Sequence, residues 1–155
     1  MDIRSVEVAS EIARPFESLS LAPYHDPVGF PTGGYGHLYS RVAWDDLSRY
    51  PTLPDEAAAE ELLQRDMMKA LASVRRLIVS PLTDEQEGAL VDFAFNLGSG
   101  NLQVSTLRRV VNRREYAAAP EQFMRWTYAG GRRLRGLVRR REAEVVVATW
   151  LDLWG

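Results

Sequence analysis

The sequence predicts an α+β fold, a small antiparallel sheet near the N-terminus followed by a larger helical lobe. Between Leu19 and Tyr39 short apolar runs are broken by turn residues, the pattern of short paired strands. From about Asp55 to Ile78, Ala57, Leu62, Leu63, Met67, Leu71, Val74 and Ile78 recur at helical spacing. Beyond Ser80-Pro81, further start and stop signals mark several shorter helices. A chain of 155 residues, 46% hydrophobic and 26% charged, is one ordinary domain or two small lobes sharing a helix. It can bury a core without disulfide or metal.

Each element has its local reason. Ser5 to Phe16 reads as a first helix, with Val6, Ala9 and Ala13 on one face and Ser5 placed as its cap. Pro15 removes a backbone donor and should end that helix near Arg14. In the sheet region, Asp26-Pro27-Val28-Gly29 has the proline and glycine preferences of a type I turn joining two strands. Pro54-Asp55-Glu56 opens the long helix, with acids at the positive end of its dipole. Thr83 and Gln86 have capping-box spacing for a helix that runs to Gly98. Ser105 to Asn112, Glu121 to Thr127 and Arg135 to Trp150 follow as helices, with Gly130-Gly131 as a break.

Composition removes many chemistries. Without cysteine there is no thiol nucleophile, disulfide framework or thiolate zinc site. Only His25 and His37 are present, which excludes histidine-rich metal clusters. No metal or cofactor is expected. The longest apolar run near either end, Val145 to Trp150, is far short of the ~20 residues that cross a bilayer. No stable membrane insertion is expected, and the N-terminal residues lack the pattern of a secretory signal.

Charge divides the chain. Residues 1–100 carry 8 Lys/Arg and 16 Asp/Glu, whereas residues 101–155 carry 11 Arg and 5 Asp/Glu. A basic half reads first as a solvated face and second as a surface for an anionic polymer. Nucleic acid is a poor fit, because aromatic residues do not interleave with Arg132 to Arg141, and Glu142 and Glu144 interrupt the run.

The remaining catalytic material is carboxylates and hydroxyls. Most acids sit on helices near Arg or Lys, whereas Glu17 and Asp26 lie at the edge of the expected sheet among Phe16, Tyr24, Phe30 and Tyr35. Two acids in different environments can cleave a glycosidic bond, one as proton donor and the other as base or nucleophile.

Eight residues separate Glu17 from Asp26 and five separate Asp26 from Thr32, with Gly34-Tyr35-Gly36-His37 following. This segment resembles that of the phage-type lysozymes, glycoside hydrolase family 24, which include the T-even phage lysozyme and the lambdoid-phage endolysins. The similarity continues through Phe93-Ala94-Phe95-Asn96-Leu97-Gly98, Ser105-Thr106-Leu107, Arg125-Trp126, Gly136-Leu137 and Arg139 to Glu144, which look like the helical lobe of the lambdoid branch.

The resemblance implies one lysozyme-like domain over 1–155. About 15–54 would form the sheet lobe and 55–78 the linking helix, while 79–155 with the N-terminal helix would form the helical lobe, with an active-site cleft between the lobes. It implies that Glu17 is the general acid at the β-1,4 bond between N-acetylmuramic acid and N-acetylglucosamine, with Asp26 and Thr32 positioning the attacking water. On the T-even pattern, water attacks directly and the anomeric configuration inverts. His37 is expected to pair with Asp66, and Phe95, Asn96 and Thr106 to contact sugars or serve as core and cap residues. One arginine of 132–141 is expected to face Glu17 or a nearby acid. His25 is expected to be exposed, and Trp126 and Trp150 to belong to the core.

Two positions depart from the family pattern. Ser18 stands where glycine usually follows the glutamate, and Gly33 stands where a branched apolar residue usually follows the threonine. Ser18 would have to tolerate glycine-like backbone angles, and Gly33 would loosen the strand bearing Thr32. The expected function is an endolysin muramidase acting on bacterial peptidoglycan. It is expected to be made in the host cytoplasm, to depend on a holin for release, and to be monomeric. A wall-remodelling or secreted-effector muramidase would share the chemistry. A non-catalytic peptidoglycan binder would not need the three residues at this spacing.

Overall fold

The computed structural model describes residues 3–154. It divides into two compact units, one of residues 17–66 and the other of the described residues of 1–16 and 67–155 together.

In the first unit, β1 (Leu19–His25), β2 (Pro31–Tyr35) and β3 (His37–Leu38) form an antiparallel sheet in the order β1-β2-β3. The register runs from Leu19 opposite Tyr35 to His25 opposite Pro31, with a bulge between Ser20 and Tyr24. Pro23 lies in that bulge, where its missing N–H costs the ladder nothing. The β1–β2 connection is tied by the Gly29 N–H to the Asp26 carbonyl (2.8 Å) and by the Asp26 N–H to the Phe30 carbonyl (3.0 Å). The sheet packs on the start of α2 (Glu56–Leu77), where Gly34 of β2 lies against Ala59 and Leu53.

The second unit is mostly helical. It holds α1 (Arg4–Ala13), the end of α2, α3 (Asp84–Leu97), α4 (Ser99–Val104), α5 (Thr106–Asn112), α6 (Ala119–Met124) and α7 (Arg135–Val146), with a hairpin of β4 (Tyr128–Ala129) and β5 (Arg132–Arg133) between the last two. Its core is built from Val8, Ile12, Met67, Leu71, Val74, Leu90, Phe93, Leu102, Leu107 and Phe123. Phe93 stands edge-on to Phe123 and Trp126. Helix α1 crosses α3 at Gly88, where a methyl group would lie 2.5 Å from Val8.

Several local expectations are corrected. The first helix begins at Arg4 after an uncapped Ile3; Ser5 is buried and its hydroxyl donates to Glu87 instead (2.7 Å). The buried stripe of α2 uses Ala59 in place of Ala57, with Leu63, Met67, Ala70, Leu71 and Val74. Helix α4 lacks a separate sequence signal because Gly98, at φ 91°, ends α3 and begins α4 at once. The helix expected at Glu121 to Thr127 is α6, which starts earlier and stops at Met124. Gly130 and Gly131 form the tip of a hairpin rather than a plain break, both with positive φ. Helix α7 stops at Val146, short of Trp150.

The capping box at Thr83 and Gln86 is complete, with both side-chain-to-backbone bonds present. Ser105 caps α5 by accepting from the Arg108 N–H. No helix among the described residues is long and apolar enough to cross a membrane.

Candidate active site

Glu17, Asp26, Thr32, His37 and Asp66 all lie in the sheet unit. Glu17 follows the end of α1 by four residues, after Phe16 closes a last turn on the Ala13 carbonyl. Its carboxylate rests on the backbone of Gly36 between β2 and β3: a Cβ there would stand 2.5 Å from Glu17 Oε2. Gly36 also has φ 71°, a left-handed conformation that glycine takes without penalty. Ser18 needs no such freedom, because positive φ in non-glycine residues is confined to Trp44 and Arg114 among the described residues.

Asp26 sits at the end of β1, where its Oδ1 accepts the N–H groups of Val28 (2.9 Å) and Phe30 (2.8 Å). These two bonds make an Asx-type turn that fixes the carboxylate plane. Thr32 is buried on β2, and its hydroxyl donates to the Phe30 carbonyl (2.8 Å). It stands directly opposite Tyr24 in the β1–β2 register. The Tyr24 hydroxyl is pushed above its ordinary range, first by burial and then by the negative charges of Glu17 and Asp26. The charges of both carboxylates therefore act on one phenol, whose residue is paired with Thr32 on the adjacent strand.

Gly33 does not leave a gap. Tyr39 fills the space beside it, and a methyl group on Gly33 would come within 2.8 Å of that ring. Tyr39 stacks on Tyr50 and meets His37 edge-on. His37 Nδ1–H donates to Asp66 Oδ2 at 2.8 Å, with both side chains mostly buried. His25 is half-buried rather than exposed: its Nε2–H donates to the Asp45 carbonyl (2.7 Å) and its ring leans on Trp44.

Phe95, Asn96 and Thr106 lie in the helical unit. Asn96 Oδ1 accepts from the Arg141 guanidinium (2.7 Å), and Thr106 Oγ1 accepts from Arg109 (2.9 Å). Thr106 and the half-buried Trp126 line a concavity with Val104, Ser105, Gln122 and Arg125. Trp150 is buried against Phe123.

The basic run is only partly a solvated face. Arg140 and Arg141 are buried, at 3% and 0% exposure. Arg140 grips Asp92 through two bonds (3.0 and 2.8 Å), with its guanidinium near the Phe16 and Phe95 rings. Arg141 grips Glu144 through two bonds (2.5 and 3.0 Å). The available signal was Asp92, an acid between Val91 and Phe93 on an apolar helix face, where a charge must find a partner. Among the described residues no cluster of three or more His, Asp or Glu side chains could hold a metal ion.

The α+β layout, one unit with a small antiparallel sheet and one mostly helical unit, is that of a lysozyme-like fold. The chain belongs to the phage lysozyme family, whose model matches residues 14–144. A SAR-endolysin of Bacteriophage PS119 is 36% identical over 134 residues, which cover 86% of this chain and 77% of that protein. Among solved structures, the muramidase domain of SpmX from Asticcacaulis excentricus aligns with a TM-score of 0.76 at 28% identity over 95% of each chain. A P22 lysozyme mutant aligns at 0.74 and 28% identity, over 91% of this chain and 94% of that one. The protein is accordingly an enzyme, a phage-type lysozyme of the endolysin kind.

The seat of Glu17 is directly testable. If Glu17 is a reacting group, Gly36→Ala is expected to reduce lytic activity by roughly 10²-fold, the cost of a shift of about 1 Å in such a group, while the fold survives. Gly100→Ala is the control, since nothing lies within 4 Å of a Cβ there. Turbidity loss of isolated walls and thermal unfolding of both variants make the comparison.

Proposed function

We propose that the protein hydrolyses the β-1,4 bond between N-acetylmuramic acid and N-acetylglucosamine in bacterial peptidoglycan, with Glu17 as general acid and with Asp26 and Thr32 directing the water. The observation that supports this most is the seating of the three side chains on one small unit: the Glu17 carboxylate against Gly36 between β2 and β3, the Asp26 carboxylate fixed by the Val28 and Phe30 N–H groups after β1, and Thr32 on β2 paired with Tyr24. Glu17 gives its proton to the leaving glycosidic oxygen as the C1–O bond breaks. The negative charge of Asp26 offsets the oxocarbenium character that develops at C1. Water attacks C1, oriented by Asp26 and the Thr32 hydroxyl, and its proton passes to Asp26. Phe95, Asn96 and Thr106 are proposed to touch the glycan, and the His37–Asp66 bond to brace the β2–β3 end of the sheet. The cell wall after release from the host is the proposed place of action, in keeping with the SAR-endolysin relative.

Sugar-end analysis of digested peptidoglycan tests the reading. New reducing N-acetylmuramic acid ends are expected. An anhydro-muramic product would overturn hydrolysis in favour of internal transglycosylation, and new reducing glucosamine ends would place the cut at the other bond.

A further inference from the structure

Trp44 lies outside the chemistry above, yet it is held with unusual firmness. The residue is 66% exposed, and Val42, two residues before it, and Val28, next to Gly29, are 59% and 63% exposed. Indoles are usually buried to a large extent, and this one is left exposed where Gly29 and His25 hold it. Its backbone sits at φ 60°, a left-handed conformation that a bulky residue adopts only when its surroundings impose it, and such residues concentrate at ligand sites. Three contacts impose it here. The Trp44 N–H donates to the Gly29 carbonyl (2.7 Å). The indole lies flat enough on Gly29 that a Cβ there would come within 2.6 Å of it, and Gly29 has φ 98°. The His25 ring leans on the indole at 5.2 Å while its Nε2–H is bound to the next carbonyl, that of Asp45.

The turn that seats the indole also holds Asp26. Gly29 bonds back to the Asp26 carbonyl, and the Asp26 carboxylate accepts from Val28 and Phe30 on either side of Gly29. Carboxylate and indole are therefore fixed relative to each other by one five-residue turn. We propose that Trp44 is a saccharide platform: an N-acetylhexosamine ring of the glycan strand stacks its apolar C–H face on the indole, next to the residue that reacts at Asp26. The proposal rests on the muramidase reading of Asp26. A sugar suits this patch because it offers one apolar face and a polar rim, and Asp46, exposed and two residues from Trp44 in sequence, is an acceptor for hydroxyl and amide groups, whereas the Asp45 carboxylate is taken by Tyr50 (2.7 Å). An anionic lipid surface suits it poorly, since residues 17–66 carry nine acids and three basic residues.

The test uses the N-acetylglucosamine tetramer as soluble probe, in the Glu17→Gln background so that nothing is cleaved. Tryptophan fluorescence is expected to change on titration, and the change is expected to vanish when Trp44→Phe is added. In the active enzyme, Trp44→Ala is expected to raise KM on suspended walls about tenfold with kcat nearly kept, and Trp44→Phe to raise it less. Wild-type release of muramic reducing ends with an unchanged KM in Trp44→Ala would overturn the platform and leave the muramidase reading standing. Absence of such ends from the wild type would overturn that reading itself. Trp44-dependent binding to phosphatidylglycerol vesicles, without any response to the tetramer, would overturn the platform in favour of lipid contact.

Discussion

Glu17→Gln is expected to abolish lysis of isolated cell walls while leaving thermal unfolding unchanged. Glutamine keeps the shape of the side chain that rests on Gly36, so the turn after α1 and the β2–β3 connection need not move. It has no acidic proton to give. Without that proton the leaving oxygen departs as an alkoxide, and a positioned general acid contributes about 10²–10⁴-fold. The loss should therefore be at least about 10²-fold in rate, and greater if water attack waits on leaving-group protonation. The variant should still bind glycan, because it keeps the residues proposed to contact sugar. Lysis by Glu17→Gln at a rate near the wild type would show that another group supplies the proton and would remove the proposed role of Glu17.

Arg141→Met is expected to cost about 3–5 kcal/mol of stability, the range for removing one partner of a buried ion pair. Methionine replaces the apolar stem but not the charge. Glu144 is fully buried and would lose both bonds from Arg141, and Asn96 would lose its guanidinium donor. Burial already holds the Glu144 carboxyl well above the ordinary range, Asp92 adds to this, and Arg141 opposes it. A carboxyl whose pKa is higher in the folded than in the unfolded state stabilises the fold below the ordinary carboxyl range. That contribution is lost as pH rises through the folded value. Without Arg141 the folded value moves further up, so the deficit should be smaller in mild acid, where Glu144 escapes its charge by binding a proton, and should widen toward alkaline pH. Denaturant unfolding across pH measures this. A pH-independent loss below about 1 kcal/mol would mean that Glu144 reaches water.

What could be read from sequence differed from element to element for physical reasons. The capping box at Thr83 and Gln86 was legible because both partners lie within one helical turn. The Asp26–Gly29 turn was legible because proline and glycine restrict the backbone wherever they occur. The placement of Ser5 was not, because its hydroxyl is used by Glu87, a residue brought to it only when α1 crosses α3. The choice of Ala59 over Ala57 was equally hidden, since two small apolar residues on adjacent helix faces are equivalent until a sheet covers one of them.

The same division runs through the site. Glu17, Asp26 and Thr32 were visible as a spaced set, and their spacing together with the segments that follow carried the family. Where the Glu17 carboxylate rests was not visible, because it depends on Gly36 meeting it from the turn between β2 and β3. The basic run from Arg132 to Arg141 read mainly as a solvated face with one arginine turned to an acid, but which arginines turn inward was not readable; Arg140 and Arg141 do so, to Asp92 and Glu144. By itself the sequence determined the α+β class, the strongly signalled helix starts and turns and the identity of the candidate reacting groups, because these follow from residue type and short-range spacing. Tertiary structure alone decided which charges are buried, which glycine supports the acid and where an indole is left exposed, because burial and close approach are properties of segments distant in the chain that meet only once folded.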